Sequence, residues 1–263
     1  MPFLTPGSSQ LEYEWVEPAG ASGPTIVMLH EGLGSLAMWR EFPARLADAT
    51  GCATLVYSRE GYGRSAALQG PRRVRYMHDE ALVVLPHLLD ELRISNPILF
   101  GHSDGASIAL IHAGGSDRAV AGVVALAPHV MVEDISVTSI AATRRAYQTT
   151  DLRERLARYH ENVDGAFWGW NDIWLSAEFR SWDIGDYLPR IRCGILAIQG
   201  EDDEYGTMAQ IERIASAAPH ADLVRLAACG HSPHRDQPAA VLHRVTRWLQ
   251  SSRAPSGSPH PAV

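Results

Sequence analysis

The hydrophobic positions of this chain fall into short continuous runs that are separated by longer, helix-length stretches. Runs rich in β-branched residues predict strands buried on both faces of a parallel sheet. The alternating segment 11–17 predicts an edge strand with one face in water. Helices are predicted between most of the strands, and this alternation is typical of a doubly wound α/β domain. The predicted buried strands are 25–30, 53–58, 97–102, 122–128, 194–199 and 222–227, and the predicted helices are 40–50, 76–93, 104–113, 207–217 and 237–250.

One interval, residues 131–188, interrupts the alternation of strands and helices. It contains no run suited to a central strand, but it holds four of the seven tryptophans, Trp168, Trp170, Trp174 and Trp182. We therefore expect a helical cap at 131–188, inserted between core segments 1–130 and 189–250. The tail 251–263 is rich in Ser, Pro and Gly and is expected to be disordered.

Composition and charge narrow the function classes. A chain of 263 residues, 46% hydrophobic and 20% charged, is typical of a globular protein with one main core. Its net charge of −7 argues against nucleic-acid binding, which needs a basic face. The three cysteines are isolated, without zinc-site or disulfide spacing. The N-terminus lacks the features of a signal peptide and no stretch approaches a membrane span, so we expect a cytoplasmic protein with no metal and no membrane partner.

The segment Gly101-His102-Ser103-Asp104-Gly105 carries the strongest chemical signal. It joins the predicted strand 97–102 to the helix that begins at 104, which is the context that gives the G-x-S-x-G motif its meaning. A serine on such a sharp turn needs small residues two positions away on either side. The helix that follows also directs free N–H groups toward the turn. Ser103 is therefore a candidate nucleophile, although a Gly-Ser turn that merely connects a strand to a helix has the same pattern.

Two later loops supply candidates for an acid and a base, which a serine nucleophile needs. Strand 194–199 is followed by Gly200-Glu201-Asp202-Asp203-Glu204, and strand 222–227 by Cys229-Gly230-His231-Ser232-Pro233-His234. Both loops lie at the carboxyl ends of predicted strands, where ligands bind in open α/β sheets.

GHSDG, QGEDDEYG and CGHSPHRDQP, in this order, resemble the motifs of the α/β-hydrolase superfamily, most closely its carboxylesterase, enol-lactonase and meta-cleavage-product hydrolase branch. The resemblance covers the chain except the cap and tail. It implies an α/β-hydrolase fold, a mostly parallel sheet whose helical cap follows the sixth strand. It selects His231 as the base and Asp203 as the acid, with Asp202 as the second choice, while Glu201 and Glu204 are expected to face solvent.

The resemblance extends to the loop His30-Glu31-Gly32-Leu33-Gly34, which is similar to the HGxG loop of the superfamily. It implies an oxyanion hole formed by the N–H groups of Gly32 and Asp104. Glu31 departs from the pattern, because a glycine is usual there. Its carboxylate must turn away from the oxyanion or be paired, for which Arg59 and Arg64 are candidates.

The substrate pocket is expected to be lined by Leu33, His129, Trp170 and Trp174. The clustered cap tryptophans are also compatible with a small helical core, but at least one is expected to face the cavity. An aromatic lining favours an apolar or aromatic small-molecule substrate.

We therefore expect a serine hydrolase that cleaves a carboxylic ester or lactone without a cofactor, as a monomer or homodimer. Two alternatives remain: carbon–carbon bond hydrolysis of a ring-cleavage product, and a non-catalytic ligand receptor on the same scaffold.

Overall fold

A single mixed sheet forms the centre of the fold. The computed structural model describes residues 2–5 and 9–253. Within them, eight strands are arranged in the order β1-β2-β4-β3-β5-β6-β7-β8. β2 is antiparallel to both of its neighbours, and the other pairs are parallel. The strands are β1 (Phe3–Leu4), β2 (Leu11–Val16), β3 (Ile26–Leu29), β4 (Thr54–Tyr57), β5 (Ile98–His102), β6 (Gly122–Leu126), β7 (Gly194–Gly200) and β8 (Ala221–Leu226).

Helices cover both faces of this sheet, which confirms the predicted doubly wound arrangement. Short 3₁₀ turns occur at Leu36–Trp39, Glu178–Ser181 and Leu188–Arg190, and a π-helical turn at Glu80–Val84 joins α2 to α3. The α-helices are α1 (Phe42–Thr50), α2 (Tyr76–Asp79), α3 (Leu85–Glu91), α4 (Asp104–Gly115), α5 (Asp134–Thr149), α6 (Leu152–Leu156), α7 (Val163–Trp174), α8 (Ala209–Ala217), α9 (Pro233–Asp236) and α10 (Pro238–Arg253).

The pleat of the central strands divides the core into two layers. In β3, Ile26 and Met28 pack with α1 and α10, while Val27 and Leu29 face the opposite layer, which contains α3, α4 and α8. All four side chains are fully buried. Strands buried on both faces have no polar side, so they appear in the sequence as continuous hydrophobic runs.

Both ends of the sheet differ from the prediction. Residues 222–227 were expected to be buried on both faces, but among the described strands β8 is an outer one that pairs with β7 alone, and Asp222 and Arg225 are exposed. Segment 11–17 was expected at the edge, but β1 pairs with its first residues, Leu11 and Glu12. A strand of two residues is too short to give a periodic signal.

The segment 131–188, called the helical insertion below, contains α5, α6, α7 and the turns that follow them. A β-bridge between Met131 and Asp183 joins its two ends, and the N–H of Ile184 donates to the carbonyl of Val130 at 2.9 Å. The insertion therefore leaves and re-enters the core at one place, after the sixth strand of the sheet.

The C-terminal helix is longer than predicted. α10 continues to Arg253, so the first three residues of the predicted tail 251–263 are helical. Residues 254–263 lie outside the described part of the chain. Among the described helices, none has the length and apolar character needed to span a membrane.

Candidate active site

Ser103 lies on a sharp turn between β5 and α4, with φ of 53° and ψ of −120°. A positive φ is costly for any residue other than glycine and requires support from the surrounding structure. A Cβ atom on Gly101 would lie 2.3 Å from the Gly105 carbonyl oxygen, and one on Gly105 would lie 2.0 Å from that of Leu29. Both glycines are therefore required by close backbone approach, and the turn holds the Ser103 hydroxyl above the sheet.

His231 lies between Ser103 and Asp203. Its Nε2 is 3.0 Å from Ser103 Oγ, and its Nδ1 is 2.8 Å from Asp203 Oδ1. A carboxylate accepts only, so Nδ1 carries the proton and Nε2 is free to accept from the serine hydroxyl. Burial lowers the pKa of His231, but the hydrogen bond and charge of Asp203 outweigh it and raise this pKa above its usual value.

Asp203 is held by more than its histidine partner. The N–H groups of Tyr205 and Gly206 donate to its Oδ1 at 2.8 and 3.2 Å, and Gln199 Nε2 donates to its Oδ2 at 3.1 Å. Burial raises the pKa of Asp203, but its hydrogen bond to His231 and the histidine's charge hold the pKa below the usual range. The carboxylate is therefore fixed in orientation and stays ionised.

The three other acidic residues of this loop have different positions. Glu201 and Glu204 are exposed, as expected, and so is Asp202, the second choice for the acid. The carboxylate of Glu204 is nevertheless a partner of the site, because it accepts a hydrogen bond from the His231 backbone N–H at 3.1 Å. The structure thus places Asp203, and not Asp202, next to the histidine ring.

Two backbone donors stand near the serine. The N–H groups of Gly32 and Asp104 have no hydrogen-bond partner among the described residues, although both residues line the cavity that contains Ser103. The Asp104 side chain is held separately: Tyr76 donates to its Oδ2 at 2.6 Å, and Trp174 Nε1 donates to the Tyr76 hydroxyl oxygen at 3.0 Å. This series links the helical insertion to the residue that follows the serine.

The carboxylate of Glu31 pairs with His102 and not with Arg59 or Arg64. Its Oε2 lies 3.4 Å from His102 Nδ1, a long ion-pair distance. Nε2 of the same ring donates to the His231 carbonyl at 2.7 Å, so it carries a proton. Burial opposes ionisation of Glu31, but the adjacent His102 imidazole lowers its pKa below the usual range.

The two arginines that were candidate partners of Glu31 are engaged elsewhere. Arg59 is buried, and its Nη2 donates to the backbone carbonyls of His30 and Glu31 at 3.2 and 2.8 Å. Arg64 pairs with Glu161 of the helical insertion. Arg59 therefore supports the backbone of the loop rather than the charge of its side chain.

A cavity of about 110 Å³ adjoins Ser103. The four predicted pocket residues, Leu33, His129, Trp170 and Trp174, line this cavity. Asp203 does not line it and is separated from it by His231. Burial lowers the pKa of His129 to about 3, so its ring is neutral. Larger open grooves of about 730 and 740 Å³ lie elsewhere, without Ser103. The lining residues are Glu31, Gly32, Leu33, His102, Ser103, Asp104, His129, Ile140, Trp170, Trp174, Tyr205, His231 and Ser232.

Sequence reasoning missed Gln199, Tyr76, His102 and Tyr205, each of which contacts a member of this site. Two of them carried a signal. Gln199 is a polar residue inside the apolar run of β7, and His102 lies within the GHSDG motif. Tyr76 had none, because only the packing of α2 against α4 brings its hydroxyl to Asp104. In the part of the chain that the structure describes, no three His, Cys, Asp or Glu side chains are grouped as metal ligands.

The sequence pattern of the alpha/beta hydrolase family matches residues 26–244. The chain belongs to the alpha/beta hydrolase family. Among curated relatives of this hydrolase, a proline iminopeptidase from Levilactobacillus brevis is 24% identical over 264 residues, which cover 85% of this chain and 87% of the relative.

Solved structures agree on the fold. The enol-lactonase from Burkholderia xenovorans LB400 superposes with a TM-score of 0.75 at 21% identity, covering 95% of this chain and 100% of that one. The thermophilic esterase from Thermogutta terrifontis gives 0.72 at 20% identity, covering 95% and 96%. A proline iminopeptidase from Mycobacterium smegmatis gives 0.78 at 17% identity, covering 95% and 98%. These likenesses confirm the α/β-hydrolase fold.

Proposed function

We propose that this protein is a serine hydrolase that cleaves a small carboxylic ester or lactone through an acyl-enzyme on Ser103. The observation that carries the proposal is the continuous hydrogen-bonded series Asp203–His231–Ser103. A serine hydroxyl held on a strained turn, a base within reach and a carboxylate that fixes the base's tautomer are what acyl transfer by serine requires.

In the proposed mechanism, His231 Nε2 takes the proton of the Ser103 hydroxyl as Oγ attacks the carbonyl carbon. The resulting oxyanion accepts hydrogen bonds from the N–H groups of Gly32 and Asp104. His231 then gives the proton to the leaving alkoxide, and the acyl group stays on Ser103. A water molecule, deprotonated by His231, attacks the ester, and Ser103 recovers its proton as the acid departs.

The helical insertion serves in this proposal as a cap that sets substrate size. Ile140, Trp170 and Trp174 come from the insertion and form an apolar wall of the cavity. At about 110 Å³, the cavity has room for a short acyl group but not for a long chain. We expect acetyl and propionyl esters to be better substrates than octanoyl esters.

Hydrolysis of an aminoacyl bond is the second candidate. The curated relative from L. brevis is a proline iminopeptidase, and the ionised carboxylate of Glu31 lines the cavity, where it is suited to bind an amino group. An aminoacyl substrate would place its cationic nitrogen near Glu31 while its carbonyl faces Ser103.

One panel separates these functions. Wild-type protein and Ser103→Ala are assayed side by side with p-nitrophenyl acetate, a γ-lactone, prolyl p-nitroanilide and a vinylogous 1,5-diketone. We expect the ester or lactone to be turned over by the wild type alone. Preference for the prolyl anilide would support the second candidate, and preference for the diketone would favour carbon–carbon hydrolysis.

A fluorophosphonate probe supplies a substrate-independent test. It should label the wild type at Ser103 and leave Ser103→Ala unlabelled. A folded wild-type protein that resists the probe and turns over none of the panel would contradict the proposal and favour a ligand receptor.

A further inference from the structure

Trp170 is a buried tryptophan whose polar atom lacks a partner. It lies on α7 of the helical insertion, its side chain is only 7% exposed, and it lines the cavity beside Ser103. Its Nε1–H makes no hydrogen bond with any described residue. The Nε1 atoms of Trp39 and Trp182 also lack a partner among the described residues, but they are fully buried, whereas Trp170 Nε1 keeps accessible surface. The N–H of Trp170 is therefore available to a molecule in the cavity.

The position of this N–H is set by Gly32. A Cβ atom built on Gly32 would lie 2.1 Å from Trp170 Nε1 and 2.4 Å from its Cδ1. The Nε1 edge of the indole thus lies directly against the backbone of a residue that lines the cavity and whose own N–H has no partner among the described residues. A side chain at position 32 would displace the ring, so this contact requires glycine.

Other residues of the helical insertion hold the Trp170 indole in place. The neighbouring residue, Asn171, is fully buried; its Nδ2 donates to the Ile140 carbonyl at 3.2 Å, and its Oδ1 accepts from Arg144 Nε at 2.7 Å. These bonds fix α7 against α5. Phe167 packs against the indole, with ring centroids 6.1 Å apart. A donor that is fixed before the reaction stabilises developing charge without a cost of reorientation.

We propose that Trp170 Nε1–H is a third donor to the oxyanion formed on Ser103, supplied by the helical insertion. The inference rests on the proposed serine-hydrolase function. Three N–H groups, from Gly32, Asp104 and Trp170, then converge on one oxygen. The substrate carbonyl gains negative charge as Oγ attacks, so the indole bond strengthens in the transition state. Trp170 is on this basis a catalytic residue and not only part of the apolar wall.

The sharpest test replaces Trp170 by β-(3-benzothienyl)alanine, in which sulfur stands where the indole has N–H while the ring shape is nearly unchanged. We expect kcat for p-nitrophenyl acetate to fall about tenfold to a hundredfold with little change in KM, since oxyanion-hole donors act mainly in the transition state. Affinity for a trifluoromethyl ketone, which forms an oxyanion on serine, should fall by a similar factor.

The matched control is the same replacement at Trp168, which lies on the same helix but outside this cavity. It should leave kcat and inhibitor affinity unchanged. Trp170→Phe is a second variant that lacks the N–H, and it should show the same loss in kcat. Unchanged kcat and unchanged ketone affinity in both Trp170 variants would overturn the inference. A rise in KM alone would also overturn it, because the donor would then bind the ground state.

Failure of the underlying function gives a different result. In that case the wild-type protein itself neither reacts with fluorophosphonate nor hydrolyses the ester. The inference about Trp170 fails by itself when the wild type is active and the benzothienyl variant is equally active.

Discussion

The two walls of the cavity are built in different ways. The lower wall consists of loops at the carboxyl ends of the strands and carries Ser103, His231 and Asp203. The upper wall is the helical insertion, residues 131–188. Both contribute to one small cavity, yet the forces that hold them are different, and so are the effects we expect from changing them.

The lower wall is held by backbone constraints and buried hydrogen bonds. Ser103 has a positive φ that the sheet and α4 maintain, and the Asp203 carboxylate accepts from two backbone N–H groups and a buried glutamine. These hydrogen bonds are buried away from water and form one network, so losing one partner leaves a buried polar group unsatisfied.

The upper wall is held by aromatic packing and exposed ion pairs. Tyr147 stacks on Phe167 with ring centroids 3.6 Å apart. Arg153 pairs with Asp164, and about half of each side chain is exposed. Exposed pairs of this kind contribute only about 0–1 kcal/mol each. Substitutions at these exposed pairs should thus be tolerated better than substitutions of the buried hydrogen-bonded groups of the lower wall.

The two walls meet at three places around the candidate site. His160 Nε2 donates to the Leu33 carbonyl at 3.0 Å, and Thr143 shares a 2.9 Å hydrogen bond with the Tyr205 hydroxyl. Trp174 reaches Asp104 through Tyr76. The comparison therefore predicts that changes in the lower wall lower kcat steeply, while changes in the upper wall have smaller effects transmitted through these contacts.

The largest effect is expected from Ser103→Ala. It removes the nucleophile while leaving the packing nearly unchanged, so turnover should fall by roughly a million-fold. Steady-state kinetics on the best substrate of the panel would measure this, with circular dichroism as the control for folding. Activity close to wild type in the folded variant would rule out the lower wall as the site of chemistry.

Asp203→Asn should follow, with a loss of roughly ten-thousand-fold, because an amide cannot hold the Nδ1–H tautomer of His231. Asp202→Asn is the matched control: it changes the adjacent carboxyl, which is exposed, and should retain most of the activity. A greater loss of activity in the Asp202 variant would show that Asp202, and not Asp203, is the acid that orients His231.

The pH dependence of kcat/KM should show the charge balance of the lower wall. The base must be neutral to act, and Asp203 raises the pKa of His231 above its usual value. Activity should therefore fall about tenfold per pH unit below that raised pKa, from a midpoint above about 6.5. In Asp203→Asn the midpoint should move to lower pH. An acidic midpoint of kcat/KM below pH 6 in the wild type would contradict a raised pKa of His231.

The smallest effect is expected where the walls meet. Tyr76→Phe removes the hydroxyl that joins Trp174 to Asp104, and we expect kcat to fall roughly fivefold, as for the loss of one hydrogen bond near 1 kcal/mol. Tyr147→Phe is matched to it, since its hydroxyl donates to Asp164 within the insertion, away from Ser103. Equal kinetics in the two variants would show that the walls are not coupled through Tyr76.

The sequence by itself determined the parallel core and the identity of the residues around the serine. Strands buried on both faces must be continuously apolar, and a serine on a sharp turn needs glycines two positions away on either side. Both features are therefore visible as local sequence patterns. The order of serine, acid and base motifs, together with the resemblance, predicted Ser103, Asp203 and His231, and in the structure the His231 ring lies within hydrogen-bond distance of both other side chains.

Only the tertiary structure decided how these residues are supported. The partner of Glu31 is His102, at the end of β5, and neither of the arginines first considered, because the pairing depends on how the ends of the neighbouring strands β3 and β5 meet. Tyr76 contacts Asp104 through the packing of two helices, and Trp170 lies against Gly32 because the insertion packs on the core. Such contacts join residues distant in the chain, and no local periodicity encodes them.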